Sequence, residues 1–202
     1  MPEPESESVC IHLFDQVDKN FATLYKSDQG KWLNHMTTYK LLVPFGMSAG
    51  DIVLWIKKTI GPNKIHILRI VAHGDSGAFF LGKVYTQDNI YEWWTLRGCF
   101  DSAGRVELHS CAIASETTLH GDMLQPGRAI KRGKFTGNPN GQGVTFMRYL
   151  ASAVNARVIA SIDDHLVGSN KWSLGNPAIH NAVTVYPNGT IQTQALTPMV
   201  AD

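Results

Sequence analysis

The feature that most constrains the fold is the segment 65–72 (IHILRIVA), a nearly continuous run of apolar and β-branched residues. Gly61-Pro62 lies shortly before it, and Gly74 and Gly77 interrupt the pattern after it. Such a run is typical of a central strand that is covered on both faces, as in the parallel sheets of α/β proteins. The segment therefore predicts a sheet with helices packed on each side.

Strands and helices alternate along most of the remaining chain. The other predicted strands are 39–43, 78–81, 105–109 and 157–162. The predicted helices are 52–60, preceded by the N-cap Ser48, and then 89–96 and 144–154. Residues 181–194 contain an Asn-Gly turn between apolar positions, which predicts a β-hairpin. The order predicts a three-layer α/β/α sandwich around a mostly parallel sheet, with a C-terminal hairpin.

The N-terminal part has a different pattern. Residues 1–8 are acidic and Pro-rich, which predicts a disordered leader. Apolar residues at positions 9, 13, 17, 21 and 24 have roughly helical spacing, so residues 9–38 are predicted to form a helical extension. Residues 39–202 form the predicted α/β domain, in which the glycine-containing stretch 114–142 is predicted to be mostly loop.

Charge and composition exclude several classes of partner. The net charge of +1 gives no sign of a surface for nucleic acid, and no apolar run reaches the length of a membrane span. The N-terminus lacks the basic and apolar regions of a secretory signal. The three cysteines are an odd number, which is typical of a reducing compartment. We expect a cytoplasmic protein, and the sequence leaves its oligomeric state open.

Two of the predicted strands are followed by residues with reactive side chains. His73-Gly74 follows the strand 65–72, and Ser110-Cys111 follows the strand 105–109. The predicted helix 89–96 separates the two strands and gives the connection the length that parallel pairing requires. If the strands are parallel, His73 and Cys111 lie at the same edge of the sheet, where ligands of α/β proteins bind.

An imidazole beside a thiol is suited to nucleophilic catalysis. The thiolate is the reactive form, and an imidazole that titrates near neutral pH accepts the thiol proton and later returns it to a leaving amine. Gly74 allows the backbone of a substrate to approach closely. The backbone N–H groups of Gly74 and Cys111 are the expected donors to a developing oxyanion.

The segments around these residues resemble the caspase-like (clan CD) cysteine peptidases. The resemblance lies in 67–74 (ILRIVAHG), in 106–112 (VELHSCA) and in 143–161 (GVTFMRYLASAVNARVIAS), and it extends over about 39–191. Within this range, the chain is similar to uncharacterised bacterial caspase-like domains, to CHAT domains and to self-processing domains of toxins. The resemblance implies that His73 is the general base, Cys111 the nucleophile and Gly74 an oxyanion donor, with no cofactor.

The substrate is expected to be a protein or peptide. Stretch 114–142 lies where caspase-like enzymes have an activation linker and contains several Lys and Arg residues, so it is either a site of self-cleavage or a surface loop. A pocket that prefers Lys or Arg before the cleaved bond is predicted from acidic and polar residues near the strand ends. These candidates are Ser161, Asp163, Asp164 and Asp75. The alternative for them is a solvated turn.

Two other functions are compatible with the same residues. One is a caspase-like binding or regulatory module without turnover, and the other is a Cys-dependent amidohydrolase or acyltransferase that acts on a small amide. His109, Cys111 and His120, together with His73, offer possible ligands for zinc. Because no Cys-x-x-Cys pair accompanies them, no metal site is predicted.

Overall fold

The computed structural model describes residues 7–27, 36–111, 113–115, 142–162 and 182–194. Its strands are β1 (Ser8–Asp15), β2 (Thr37–Val43), β3 (Lys64–Val71), β4 (His73–Asp75), β5 (Ala78–Leu81), β6 (Lys83–Tyr85), β7 (Phe100–His109), β8 (Arg157–Ser161), β9 (Ala182–Val185) and β10 (Ile191–Gln194). Its helices are α1 (Lys19–Ser27), α2 (Ala49–Ile60), a 3₁₀ helix (Ile90–Leu96) and α3 (Gly143–Val154).

Seven of these strands form the central sheet, in the order β10-β9-β8-β7-β3-β1-β2. The five strands from β8 to β2 in this order are parallel to one another, whereas β9 runs antiparallel to both β8 and β10. β9 and β10 form the predicted hairpin, with Gly189 at a φ of +83° in its turn. The prediction of a mostly parallel α/β sheet with a C-terminal hairpin is therefore confirmed.

Helices cover both faces of the sheet. Alternate residues of a strand point to opposite faces, and Leu13 of β1 belongs to the large core that also contains Ile52 and Ile56 of α2. Residues of the 3₁₀ helix and α3 belong to that same core. Phe14 instead packs with Phe21 of α1 on the other face. The described elements thus form three layers.

The ends of α2 follow from its sequence. The Ser48 side chain accepts a hydrogen bond from the backbone N–H of Asp51, as expected of an N-cap residue. At the other end, Gly61 has a φ of +58°, a backbone conformation that residues with a side chain rarely adopt. The predicted N-cap Ser48 is therefore confirmed, and Gly61 ends the helix.

The prediction that residues 9–38 form a helical extension is wrong. Residues 8–15 form β1, which lies inside the sheet between β3 and β2, and the helix α1 begins only at Lys19. Val9, Cys10, Ile11, Leu13 and Phe14 are all buried because both faces of β1 are covered. A continuous apolar run of this kind satisfies helical spacing by chance, and periodicity alone does not separate the two structures.

The boundary between the predicted leader and the folded part of the chain also differs from the prediction. Ser8 is the first residue of β1 and its Oγ donates to Asp101 Oδ2 at 2.7 Å, so the predicted leader 1–8 extends too far. Residues 1–6 lie outside the described residues, as does most of the predicted loop 114–142.

The small sheet β4-β5-β6, which follows β3, was predicted only in its middle strand. Among the described residues, no helix has the length and apolar character needed to cross a membrane.

A buried ionic cluster lies on the α1 side of the sheet, and we call it the Glu107 cluster. Arg69 donates to Glu107 Oε2 through Nε at 2.9 Å and Nη2 at 2.7 Å, and Arg105 Nε donates to Glu107 Oε1 at 2.7 Å. His109 Nε2 lies 3.2 Å from Glu107 Oε2, and His12 Nε2 lies 3.4 Å from Arg69 Nη1. The cluster connects β1, β3 and β7, the three strands that end beside the candidate site.

Candidate active site

The carboxyl ends of β3 and β7 meet at one edge of the sheet. Val71, the last residue of β3, is opposite His109, the last residue of β7, and the N–H of Ala72 donates to the carbonyl oxygen of His109 at 3.4 Å. His73 and Cys111 each follow two residues after this pair. The prediction that these two strands are parallel neighbours ending at the same edge is confirmed.

Gly74 brings the two chain segments into direct contact. A Cβ atom added to Gly74 would lie 2.6 Å from Ser110 Cβ and 2.9 Å from both the carbonyl oxygen of Cys111 and Cγ1 of Ile113. Real Cβ atoms essentially never approach other atoms so closely. The sequence therefore needs glycine at position 74 for the backbone after His73 to pack against the backbone of Cys111.

Both predicted catalytic residues are partly exposed to solvent. The His73 side chain is 21% exposed and Cys111 is partly exposed. Cys10 provides a contrast, because it is buried, and burial raises the pKa of its thiol to about 11. Cys99 is partly exposed but precedes β7, so it lies at the opposite end of the sheet from Cys111.

The segment after Cys111 is attached to the structure on two sides. The N–H of Gly77 donates to the carbonyl oxygen of Ile113 at 3.1 Å, and the N–H of Gly143 donates to that of Ser115, also at 3.1 Å. Ser76 Oγ donates to the same Ser115 oxygen. These hydrogen bonds fix the position of the chain that carries Cys111 relative to β4 and α3.

Asp18 contacts His73 and was not among the predicted site residues. Its Oδ2 atom lies 2.9 Å from His73 Nε2, and the ring of Phe21 packs edge-on against the imidazole with 4.9 Å between centroids. Asp18 follows β1, whose carboxyl end lies beside that of β3. Assigning residues 8–15 to a strand would have put Asp18 at the same edge as His73.

The two predicted substrate-binding residues that the structure describes, Asp75 and Ser161, are buried. The Asp75 side chain is fully buried, and its Oδ1 accepts the N–H of Ser76 at 2.7 Å. Ser161 is 1% exposed, and its carbonyl oxygen accepts the N–H of Ala114 at 2.9 Å. This burial argues against the predicted contacts of Asp75 and Ser161 with a substrate. Asp163 and Asp164 lie outside the described residues.

The zinc alternative receives no support from the described part of the chain. His109 is fully buried and hydrogen-bonded to Glu107, and its burial lowers its pKa to about 4. His120 lies outside the described residues. Among the residues that the structure does describe, no group of three or more His, Cys, Asp or Glu side chains is arranged to hold a metal ion.

Asp15 is a second buried carboxyl group at this edge of the sheet, at the end of β1. Its burial raises its pKa to about 7, although backbone N–H groups of Val17 and Gly82 act in the opposite direction. In the folded protein Asp15 therefore stays protonated up to about pH 7, whereas in the unfolded chain it ionises near pH 4. The stability that protonated Asp15 contributes is complete below pH 4 and is lost as the pH rises through 7.

We therefore expect Asp15→Asn to remove part of the pH dependence of stability. Between pH 6 and pH 8, the wild type should lose about 1.4 kcal/mol more than the variant, because up to about pH 7 folded Asp15 holds a proton that the unfolded chain has released. Urea unfolding of both proteins at the two pH values measures the difference. Asp51→Asn, which changes an exposed carboxylate, is the control and should leave the wild-type pH dependence unchanged. Equal pH dependence in the wild type and Asp15→Asn would contradict the prediction.

Three parallel strands thus deliver an imidazole, a partly exposed thiol and a carboxylate to one edge of the sheet. His73 follows β3 as the first residue of β4, Cys111 follows β7 and Asp18 follows β1. In comparisons with known proteins, the chain matches no family model, no curated protein and no solved structure.

Proposed function

We propose that the protein is a caspase-like cysteine peptidase in which Cys111 attacks the peptide bond and His73 is the base. The observation that carries this proposal is the contact between the ends of β3 and β7. Gly74 packs against the Cys111 backbone, Cys111 is partly exposed, and the His73 side chain is 21% exposed. A buried thiol, or one at the other end of the sheet, would not have these properties.

The proposed reaction has two steps. His73 takes the proton from Cys111, and the thiolate attacks the carbonyl carbon of the substrate, whose oxyanion is stabilised by the N–H groups of Gly74 and Cys111. The C–N bond breaks as His73 transfers the proton to the departing amine, which leaves a thioester on Cys111. Water then hydrolyses the thioester, with His73 as the base, and releases a carboxylic acid and the free thiol.

We also propose that the peptidase acts on proteins or peptides in the cytoplasm without a cofactor. Its preference for Lys or Arg before the cleaved bond and its self-cleavage within 114–142 belong to the same proposal. They rest on the sequence alone: Asp163, Asp164 and most of that loop lie outside the described residues.

The proposal predicts that Cys111 is the most reactive thiol of the protein. With iodoacetamide at pH 7, Cys111 should be alkylated at least about tenfold faster than Cys99, because the neighbouring imidazole increases its thiolate fraction. His73→Ala should reduce the rate at Cys111 to that at Cys99. Mass spectrometry of peptides from one sample measures both rates, so that Cys99 is an internal control for exposure and Cys10 for burial.

The two alternative functions give different results. A rate at Cys111 that equals the rate at Cys99, and that does not change in His73→Ala, would favour a binding module without turnover. A fast thiol without cleavage of any member of a peptide library would favour an amidohydrolase or acyltransferase. The peptidase requires a fast thiol together with cleavage that is lost in Cys111→Ala.

A further inference from the structure

Asp18 makes two different hydrogen bonds with its two carboxylate oxygens. Oδ1 accepts the backbone N–H of Asn20 at 2.6 Å, and the carbonyl oxygen of Asp18 accepts the N–H of Ala22 at 3.1 Å, so that Asp18 is the N-cap of α1. Oδ2 lies 2.9 Å from His73 Nε2. One side chain therefore fixes the start of a helix and contacts the predicted base.

We propose that Asp18 is the positioning residue of the site, which keeps a proton on His73 Nε2 and leaves Nδ1 free of a proton to accept the one from Cys111. This inference rests on the proposed function of the site. An ionised carboxylate can only accept hydrogen bonds, so the nitrogen that faces it must be protonated. A neutral imidazole has one proton, and its other nitrogen is then the basic one.

The first turn of α1 also fixes the orientation of the ring. Phe21 is 2% exposed and packs edge-on against the imidazole of His73. Asp18 and Phe21 are three residues apart, which places them on one side of the helix start. The imidazole of His73 is therefore held by a hydrogen bond at Nε2 and by the edge-on packing of the Phe21 ring.

The helix cap makes Asp18→Asn an informative variant. The amide has one accepting oxygen and one donating nitrogen, and the N–H of Asn20 requires the oxygen. The amide nitrogen then faces His73 Nε2 and needs an acceptor there, which moves the imidazole proton to Nδ1. In this tautomer, His73 cannot accept the proton of Cys111, although the shape of the site and the helix cap are both preserved.

Asp18→Ser separates the two roles further. A serine hydroxyl caps a helix about as well as Asp or Asn does, but it is too short to keep the contact with His73. If Asp18 is merely a cap, the three proteins should react alike. If it positions His73, alkylation of Cys111 by iodoacetamide should be fastest in the wild type, slower in Asp18→Ser and slowest in Asp18→Asn, with a total decrease of about tenfold or more.

The first test measures the alkylation rates of Cys111 and Cys99 together with the urea midpoint of each variant. The expected order of rates at Cys111, with unchanged rates at Cys99 and midpoints near that of the wild type, supports the proposal. Ser48→Ala, which removes the cap of α2, is the control for loss of a helix cap and should not slow Cys111. Asp18→Asn with the wild-type rate at Cys111 would overturn the proposal.

The second test identifies the tautomer directly and does not depend on turnover. In full-length Cys111→Ala protein, ¹⁵N NMR under alkaline conditions should show His73 protonated at Nε2. Adding Asp18→Asn should transfer the proton to Nδ1, and an unchanged tautomer would overturn the inference. A Cys111 thiol with the same reactivity as Cys99 would instead contradict the proposed function and leave this NMR result as the separate test of Asp18.

Discussion

Replacing Glu107 with alanine is expected to lower the free energy of unfolding by about 3–5 kcal/mol. Glu107 is 1% exposed and accepts hydrogen bonds from both Arg69 and Arg105. Without its carboxylate, two guanidinium groups in a largely buried site lose the anion that accepts their hydrogen bonds. The cost arises mainly from this loss, because removing one partner of a buried ion pair is strongly unfavourable.

The pH dependence of Glu107 has the same origin. Burial by itself would raise the pKa of Glu107, but Arg69, His109 and Arg105 hold it well below its usual range. A carboxyl group whose pKa is lower in the folded protein than in the unfolded chain stabilises the fold. This contribution is complete at a pH above the pKa of the unfolded chain, and it is lost as the pH falls through the pKa of the folded protein. We therefore expect the loss caused by Glu107→Ala to be smaller in acid than at pH 7.

Glu92→Ala is the matched control for this prediction. Glu92 pairs with Lys83 at 2.6 Å, but the two side chains are 30% and 37% exposed. Solvent screens such a pair, so the expected loss is at most about 1 kcal/mol. Urea unfolding at pH 7 measures both variants. A loss for Glu107→Ala no larger than that for Glu92→Ala would contradict the buried character of the Glu107 cluster.

The sequence predicted the parallel part of the sheet because its signals are local. The run 65–72 and the apolar strands 105–109 and 157–162 are each bounded by turn or helix signals, and they correspond to β3, β7 and β8. β1 was missed for a physical reason. A strand buried on both faces lacks alternation, and the apolar positions of β1 continue into α1 at roughly helical spacing, so that periodicity favoured one long helix.

The missed strand also explains the missed carboxylate. Asp18 lies 55 positions from His73 in the sequence, and they meet because β1 is inserted beside β3. Conversely, Asp75 follows His73 closely but is buried against the N–H of Ser76. A polar residue near the end of a strand serves either a ligand or the backbone of its own turn. Sequence position does not distinguish the two uses.

Gly74→Ala is expected to slow the reaction of Cys111 with a peptidyl acyloxymethyl ketone by about 100-fold, because displacement of catalytic groups by about 1 Å has effects of this size. The new Cβ would collide with Ser110 Cβ and with the carbonyl oxygen of Cys111. Gly74 does not have a positive φ, so alanine fits its backbone conformation and the variant tests the contact alone. The same overlap should lower the free energy of unfolding by about 1–3 kcal/mol.

Gly50→Ala is the control that adds a methyl group without a collision. Its nearest neighbour would be Ser48 Oγ at 3.6 Å, and alanine is favoured in a helix such as α2. This variant should keep the wild-type labelling rate and should not be less stable. If Gly74→Ala also kept the wild-type rate and stability, the ends of β3 and β7 would not be in contact in solution. Cys111 and His73 would then lack the shared edge that the proposed reaction requires.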